Sequence, residues 1–370
     1  MKIGIDARPL KIDGGSKVYT LNLLNNLIKK QNFILFGIKK FENFQCLNSK
    51  IKSNSIFRLY YENIIIPTLI KNYKIDIFHG TKGAIPITGK VKKILTALDL
   101  SFLVFPEYFS KKDKLFWKYI FPIYLRKADK IITISESTKK DLIKYFKIND
   151  KKIKTVYLGY SKELFKPKDK GKSYNQVKRL LEKKGIIINN IKEKKIILNV
   201  NTIQPRKNIS NLIKAFDKMN DKNAILLISG KFGWKYEEII NVYEESLNKN
   251  NIHFLGFTED EELANLYNIS SVFIYPSFYE GFGLPPLEAM ACGCPVITSN
   301  TSSLPEVVGD AGIMVDPNNV REIRKQIELV IKNKKLRKEM IGKGFKQAKK
   351  FSWEKTARET LKVLEELGKK

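Results

Sequence analysis

Two cations and two carboxylates in this 370-residue chain fall where chemistry is done. Arg206 and Lys207 are adjacent in the turn Gln204-Pro205-Arg206-Lys207-Asn208, after the strand-like run Lys195–Val200 and before a helix over Ile209–Met219. Arg grips a diphosphate through its planar fork and Lys as a point charge. The competing reading is a solvated basic turn, which so Lys-rich a chain makes serious; the place at a strand end favours a ligand. Glu280 and Glu288 bracket a segment that runs Gly281-Phe282-Gly283-Leu284 and then Pro285-Pro286-Leu287. Gly allows close backbone approach, and Pro early with Gly293 late predicts a short helix between them. Its N-terminus and the loop amides suit an anion, and the carboxylates suit sugar hydroxyls. Glu288 alone would serve to complement the helix dipole, a reading that gives Glu280 no role.

The elements that position these groups are short apolar runs alternating with helix-length amphipathic segments. One series comprises Lys2–Ile5, Phe33–Phe36, Ile75–Phe78, Lys93–Thr96 and Lys130–Ile134. A second comprises Lys195–Val200, Ala224–Ser229, Ile252–Leu255, Val272–Tyr275 and Pro295–Thr298. Such runs separated by helices predict parallel α/β sheets, and two series predict two doubly wound domains facing a cleft. The boundaries expected are 1–170, 190–350 and a C-terminal helix in 351–370 that crosses back to the first domain. The joint falls in Lys166–Lys195, dense in Lys and Asn, although Tyr174–Lys184 has helical character.

In such sheets ligands bind at the carboxyl ends of strands. Gly14-Gly15 follows the first strand and precedes a helix from about Ser16 to Lys30, which suits phosphate; a plain turn is about as good a reading. Asn201, beyond Val200, tolerates left-handed backbone and suits a tight loop.

Composition narrows the class. Apolar residues make up 43% and charged residues 29%, which excludes a disordered chain or a membrane bundle. The formal net charge is +30, yet only nine basic residues are Arg and the Lys is spread along the chain. That favours coding bias over a nucleic-acid surface, so no nucleic acid is expected. Attraction to anionic lipid is a further reading, and the aromatic, Lys-flanked segment Phe116–Tyr124 is either a helix packed on its sheet or a membrane-surface contact. Cys46, Cys292 and Cys294 are few and odd in number, which argues for a reducing compartment. With only His79 and His253 to complete a zinc site, Cys292 and Cys294 read as buried small residues. No signal-peptide or membrane-spanning run occurs, so a cytoplasmic protein is expected, at the membrane's cytoplasmic face if it binds lipid.

The Glu280 to Glu288 stretch resembles the signature of family 4 glycosyltransferases of the two-Rossmann type (GT-B architecture). The resemblance covers nearly the whole chain. In order it takes in Asp6-Ala7-Arg8-Pro9-Leu10 with Gly14-Gly15, Phe78-His79-Gly80, Ile134-Ser135-Glu136-Ser137 and Pro205-Arg206-Lys207-Asn208. Leu255-Gly256-Phe257, the Glu280 segment and Leu304-Pro305-Glu306-Val307 with Asp316-Pro317 complete it. The subgroup with bacterial mannosyl- and rhamnosyltransferases of surface-polysaccharide synthesis looks most similar.

The resemblance implies retaining, metal-independent transfer of a hexose or 6-deoxyhexose, without a cofactor, from a nucleotide sugar to a saccharide or lipid-linked saccharide. It implies that Arg206 and Lys207 hold the diphosphate, Glu280 touches the donor sugar, Gly281 to Leu284 line the diphosphate loop and Glu288 binds the ribose. Two departures stand out. The family often has Gly where Asn201 stands. It usually has His-Asp where this chain reads Leu98-Asp99, so a His at the donor sugar is replaced; His79, expected in another loop of the first domain beside the cleft, is either a substitute for that contact or a structural residue. The alternatives are a nucleotide-sugar epimerase or hydrolase of the same fold, against which the scarcity of His weighs, and a catalytically weak binding module, for which Leu98 is the best argument.

Overall fold

The computed structural model describes residues 1–12, 14–27, 32–47 and 55–369. The chain forms two compact units, Met1–Gly159 with Ser352–Lys370, and Tyr160–Phe351. Among the described residues the first holds seven strands: β1 (Lys2–Asp6), β2 (Asn32–Phe36), β3 (Gln45–Leu47), β4 (Ile77–Gly80), β5 (Lys92–Ala97), β6 (Lys130–Thr133) and β7 (Ile153–Thr155), in the order β3-β2-β1-β4-β5-β6-β7. The second holds β8 (Lys195–Val200), β9 (Ala224–Ser229), β10 (Ile252–Gly256), β11 (Val272–Tyr275), β12 (Val296–Ser299) and β13 (Ile313–Val315), in the order β10-β9-β8-β11-β12-β13.

All pairings in both sheets are parallel. Each sheet therefore reverses its winding once, between β1 and β4 in one and between β8 and β11 in the other. Helices cover both faces, so central strands are largely buried whatever their side chains; every residue of β9 is buried.

The expected joint in Lys166–Lys195 needs correction. The middle of that segment is a helix, Lys170–Lys183, which belongs to the second unit. Asp169 caps it by accepting from the Lys172 amide at 2.8 Å, and Val177, Leu180 and Leu181 are buried. Its lysines form the solvated face of an amphipathic helix, which composition alone renders as a linker. The chain passes between units at Gly159–Tyr160 and again at Phe351–Ser352. At Gly159 a Cβ would lie 2.1 Å from the Trp353 amide nitrogen, so only glycine lets these two backbone segments pass. The C-terminal helix Trp353–Lys369 lies in the first unit, where Thr356 Oγ1 donates to the Tyr157 carbonyl at 2.7 Å.

Strands β3, β7 and β13 carry no alternation to read, being three-residue strands at sheet edges. Strand β4 begins two residues later than the apolar run suggests. Lys74 is left-handed (φ 52°) and Asp76 accepts from the Lys2 amide at 2.7 Å, so Ile75 and Asp76 are spent on a turn. Cys292 and Cys294 are buried, and burial pushes both thiols above their usual pKa. Residues 116–124 divide by face: Phe121 and Tyr124 are in the core with Phe116 and Trp117 packed on it, whereas Tyr119 is exposed. Among the described residues no helix is long and apolar enough to cross a membrane.

Candidate active site

The sequence candidates of the second unit gather on the two strands that flank its winding reversal. After β8 the chain makes a turn over Pro205–Lys207 and then enters the helix Ile209–Asp217. The left-handed residue in this loop is Asn208 (φ 58°); Asn201, where left-handed backbone was expected, has negative φ. Asn208 fixes the turn by donating to the carbonyls of Pro276 at 3.0 Å and Pro317 at 2.7 Å. Arg206 is locked to the loop after β11, since its carbonyl accepts from the Phe278 amide at 3.0 Å and its Nη1 donates to the Tyr279 carbonyl.

The two cations converge on Glu280. Lys207 Nζ lies 2.5 Å from Glu280 Oε1, and Arg206 Nη1 lies 3.4 Å from Oε2. All three side chains are largely buried. Burial pushes the Glu280 carboxyl up, but Lys207 and then Arg206 pull it down further, to about 2. The glutamate is thus ionised at neutral pH, and the cluster of three charges is net positive. Its position is set from below by serines that sequence reading does not single out. Ser302 Oγ accepts from the Glu280 amide at 2.9 Å, and Ser303 Oγ lies within hydrogen-bond reach of the carbonyls of Glu280 at 3.0 Å and Phe282 at 2.6 Å.

Gly283 takes φ +117°, and a Cβ there would press to 2.8 Å from Leu304 Cδ2. It caps the helix Leu284–Ala291, with Pro285 and Pro286 in its first turn. Phe282 is buried against Phe351, with ring centroids 5.8 Å apart, so this residue can offer a ligand only backbone. Glu288 sits a turn into the helix and is half-buried; its Oε2 accepts from Tyr267 Oη at 3.3 Å. Burial and the Asp260 carboxylate raise its pKa to about 8. Tyr275, at the end of β11, feels both Glu280 and Glu288, and Lys207 Nζ lies 3.5 Å from its hydroxyl. Asn201 is buried, and neither side-chain amide atom has a hydrogen-bond partner.

The raised Glu288 pKa has a stability consequence. A carboxyl held above its unfolded value stabilises the fold at low pH and loses that contribution as pH rises through about 8. Melting temperature is therefore expected to fall between about pH 5 and about pH 9, and Glu288→Gln to flatten that part of the profile. Thermal melts across the range check it; an identical slope in the variant refutes it.

The first-unit candidates are placed differently. Gly14 (φ +121°) precedes the helix Gly15–Leu27, and a Cβ on either glycine would meet nothing within 4 Å, so space lies open beside them. The expected end of this helix at Lys30 lies outside the described residues. His79 is not in a loop. It lies within β4, fully buried, with Nε2 2.8 Å from Thr96 Oγ1, which in turn meets Tyr19 Oη at 3.2 Å. Burial pushes the imidazole down to about 4, so it is neutral at neutral pH, and its Nδ1 has no hydrogen-bond partner. Leu98 and Asp99 follow β5 and are partly exposed; Asp99 Oδ1 accepts from the Ser101 amide at 3.1 Å and hydroxyl at 2.9 Å. Among the described residues no group of three or more His, Cys, Asp or Glu could hold a metal ion.

Two parallel sheets of the same winding, with cations and carboxylates at the reversal of one, define a two-Rossmann glycosyltransferase architecture. The family profile described as Glycosyl transferases group 1 matches residues 182–347, and that described as Glycosyltransferase Family 4 matches residues 14–164. The chain is 33% identical over 296 residues to O-antigen chain mannosyltransferase B of Escherichia coli, covering 79% of this chain and 74% of that one. A glycosyltransferase structure from Rickettsia africae superposes with a TM-score of 0.77 at 21% identity, covering 99% of this chain and 98% of that one. The Anabaena protein HepE, solved in complex with UDP-glucose, superposes with a TM-score of 0.77 at 16% identity, covering 99% of this chain and all of that one. The chain belongs to the family 4 glycosyltransferases.

Proposed function

We propose that this glycosyltransferase moves a hexose or 6-deoxyhexose from a nucleoside-diphosphate sugar to a saccharide or lipid-linked saccharide, with retention and without a metal ion. The observation that carries the reading is the buried Arg206–Glu280–Lys207 cluster at the carboxyl ends of β8 and β11. In the reaction the C1–O bond to the diphosphate breaks and its electron pair goes to the leaving phosphate oxygen. The acceptor hydroxyl oxygen bonds C1, and its proton ends on the departing phosphate. Charge thus grows on the diphosphate in the transition state, and a preorganised cation pair stabilises it where water cannot.

In this mechanism Arg206 and Lys207 take the diphosphate, with backbone amides of Gly281 to Leu284 completing its cradle. Glu280 keeps both cations in place and meets the hydroxyls of the donor sugar. Glu288 takes the ribose hydroxyls, and Gly14 and Gly15 leave room for phosphate on the first unit. The unpaired amide of Asn201 is a further group for the donor. The Escherichia coli relative is named a mannosyltransferase of O-antigen chains, which supports a donor sugar of manno configuration, with C6 hydroxylated or deoxygenated, and a surface polysaccharide as the product. The reaction is placed at the cytoplasmic face of the membrane.

The test is a panel of nucleotide sugars assayed for released nucleoside diphosphate, with and without chelator. Turnover of one donor, insensitive to chelator, supports the reading. Turnover abolished by chelator and restored by manganese or magnesium removes metal independence, and silence across the panel with every acceptor class removes the donor assignment.

Leu98 sets a sharper expectation. It stands where the family carries a His at the donor sugar, and an apolar wall suits a methyl group better than a hydroxyl at C6. A 6-deoxy donor is expected to be preferred over its 6-hydroxy counterpart by at most about a hundredfold in kcat/KM, the limit for an apolar pocket rejecting a hydroxyl. Leu98→His is expected to narrow the gap. A wild type that prefers the 6-hydroxy donor, with Leu98→His no better on it, overturns this.

A further inference from the structure

We propose that the winding reversal of the first sheet, between β1 and β4, binds a negatively charged group on the acceptor saccharide through Arg8, Arg58 and Lys82. In open parallel sheets a ligand sits where the winding reverses. The second unit's reversal carries Arg206, Lys207 and Glu280, and the first unit's carries cations too. Arg8 follows β1, Lys82 follows β4, and Thr81 Oγ1 ties the two loops by donating to the Asp6 carbonyl at 2.6 Å. Arg58 reaches the same place from the helix Ser55–Tyr60. Arg8 Nη2 and Arg58 Nε both lie on Glu62 Oε1, at 3.0 Å and 2.9 Å. Lys is too common in this chain for a cluster of it to carry weight, but Arg is scarce, and two of the nine meet here.

Each guanidinium is fixed before any ligand arrives. Arg8 grips Asp6 through Nε at 2.8 Å and Nη2 at 2.6 Å and lies 5.1 Å over the Tyr61 ring, while Arg58 lies 4.4 Å over the Phe116 ring. An Arg fork held on an aromatic face is preorganised for the planar oxygens of a carboxylate or the oxygens of a phosphate. Among the described residues Arg8 Nη1 and both terminal nitrogens of Arg58 have no hydrogen-bond acceptor. The carboxylates beneath the pair are hidden, Glu62 at 0% exposure and Asp6 at 2%, so solvent meets Arg58 and Lys82 instead. Desolvation and then Arg58 lower the pKa of Lys82 against the opposing effect of Asp6 and Asp99, so its ammonium stands within reach of the Arg pair. A bound anion relieves that repulsion. The donor's diphosphate is assigned to the second unit, so on the proposed reaction, on which the ligand class rests, the anion left for the first unit belongs to the acceptor. Two sources share this chemistry, the carboxylate of a uronic acid and the phosphate of a sugar ester.

The experiment is calorimetric titration of the full chain, with no nucleotide sugar present, against methyl glucuronide, mannose 6-phosphate and methyl mannoside. At least one of the two acids is expected to bind about tenfold more tightly than the neutral glycoside, and which one does so names the anion. Lys82→Gln should weaken that binding by about fivefold and Arg58→Gln by about tenfold. Lys207→Ala, in the other unit, should leave it unchanged. Lys82 makes no ion pair among the described residues, so its variant keeps the test open if Arg58→Gln, which uncovers Glu62, fails to fold. No binding of either acid overturns the proposal, and so does a neutral glycoside bound as tightly as both. Acid binding lost in Lys207→Ala but kept in Lys82→Gln overturns it too. With a donor that turns over, kcat/KM for the acid acceptor should fall in Lys82→Gln while the donor KM holds; a raised donor KM with an unchanged acceptor KM gives the cations to the donor and refutes the assignment. The titration needs no turnover, so silence against every donor removes the proposed reaction and leaves the anion site to be decided by binding.

Discussion

Lys207→Ala is expected to lower turnover by about a hundredfold to a thousandfold, the usual cost of one preorganised charge-stabilising group. The reasoning is geometric. Lys207 is buried and held 2.5 Å from Glu280, so its ammonium is fixed before any ligand arrives. A cation placed in advance costs no reorganisation as charge develops on the leaving group. Because that charge is larger in the transition state than in the bound donor, kcat should fall more than KM rises. Arg206→Ala should fall in the same direction by less, since Arg206 Nη1 is also spent on the Tyr279 carbonyl and stands farther from the carboxylate.

Glu280 behaves differently from the two cations. Removing one partner of a buried pair leaves uncompensated charge, with a cost of about 3–5 kcal/mol. Glu280→Ala and Glu280→Gln should therefore both lose stability as well as activity, Glu280→Gln less, because its amide oxygen still accepts a hydrogen bond from one cation. Steady-state rates on the preferred donor, beside melting curves for each variant, decide this. Near-wild-type kcat in Lys207→Ala and Arg206→Ala would remove the cluster from the chemistry.

How far these residues could be read from sequence follows from how local their partners are. Strands β8, β9 and β11 are legible to the residue because each is a four- to six-residue apolar run bounded by polar turns. The Pro205–Lys207 turn and the Glu280 to Glu288 segment are legible for the same reason: Gly, Pro and charge stand at fixed offsets from a strand end. What joins them is not local. Glu280 and Lys207 lie 73 positions apart, and no spacing rule predicts their contact. Ser302 and Ser303 act through hydroxyls that carry no pattern at all. His79 shows the opposite failure. Beside a Gly it looks like a loop residue, yet β4 starts two residues late and carries it into the sheet. Glu62 is not read from the sequence at all: Arg58 stands four residues before it, a common helical spacing that marks nothing by itself, and its partners Arg8 and Tyr124 come from other elements.

Glu62→Ala is expected to be the most destabilising single substitution outside the candidate site. Glu62 has no exposed surface, and its carboxylate satisfies three groups. Arg8 Nη2 lies 3.0 Å from Oε1, Arg58 Nε donates to the same oxygen at 2.9 Å, and Tyr124 Oη donates to Oε2 at 2.6 Å. Without the carboxylate, two guanidinium groups and a phenol lose a partner together. Arg8 keeps Asp6, whose Oδ2 lies 2.6 Å from Nη2, so the cost falls mainly on Arg58 and Tyr124. Breaking a buried pair from one side costs about 3–5 kcal/mol. For a unit of this size, at about 2–4 °C per kcal/mol, the melting temperature should fall by roughly 6–20 °C. Tyr124→Phe removes a single hydrogen bond to a charged group and should cost about 1.5–3 kcal/mol. Trp117 and Trp353 lie in the first unit and Trp234 in the second, so calorimetry beside tryptophan emission separates a transition of one unit from the other. A melting temperature within a degree of wild type in Glu62→Ala would show that solvent or rearranged side chains replace the carboxylate.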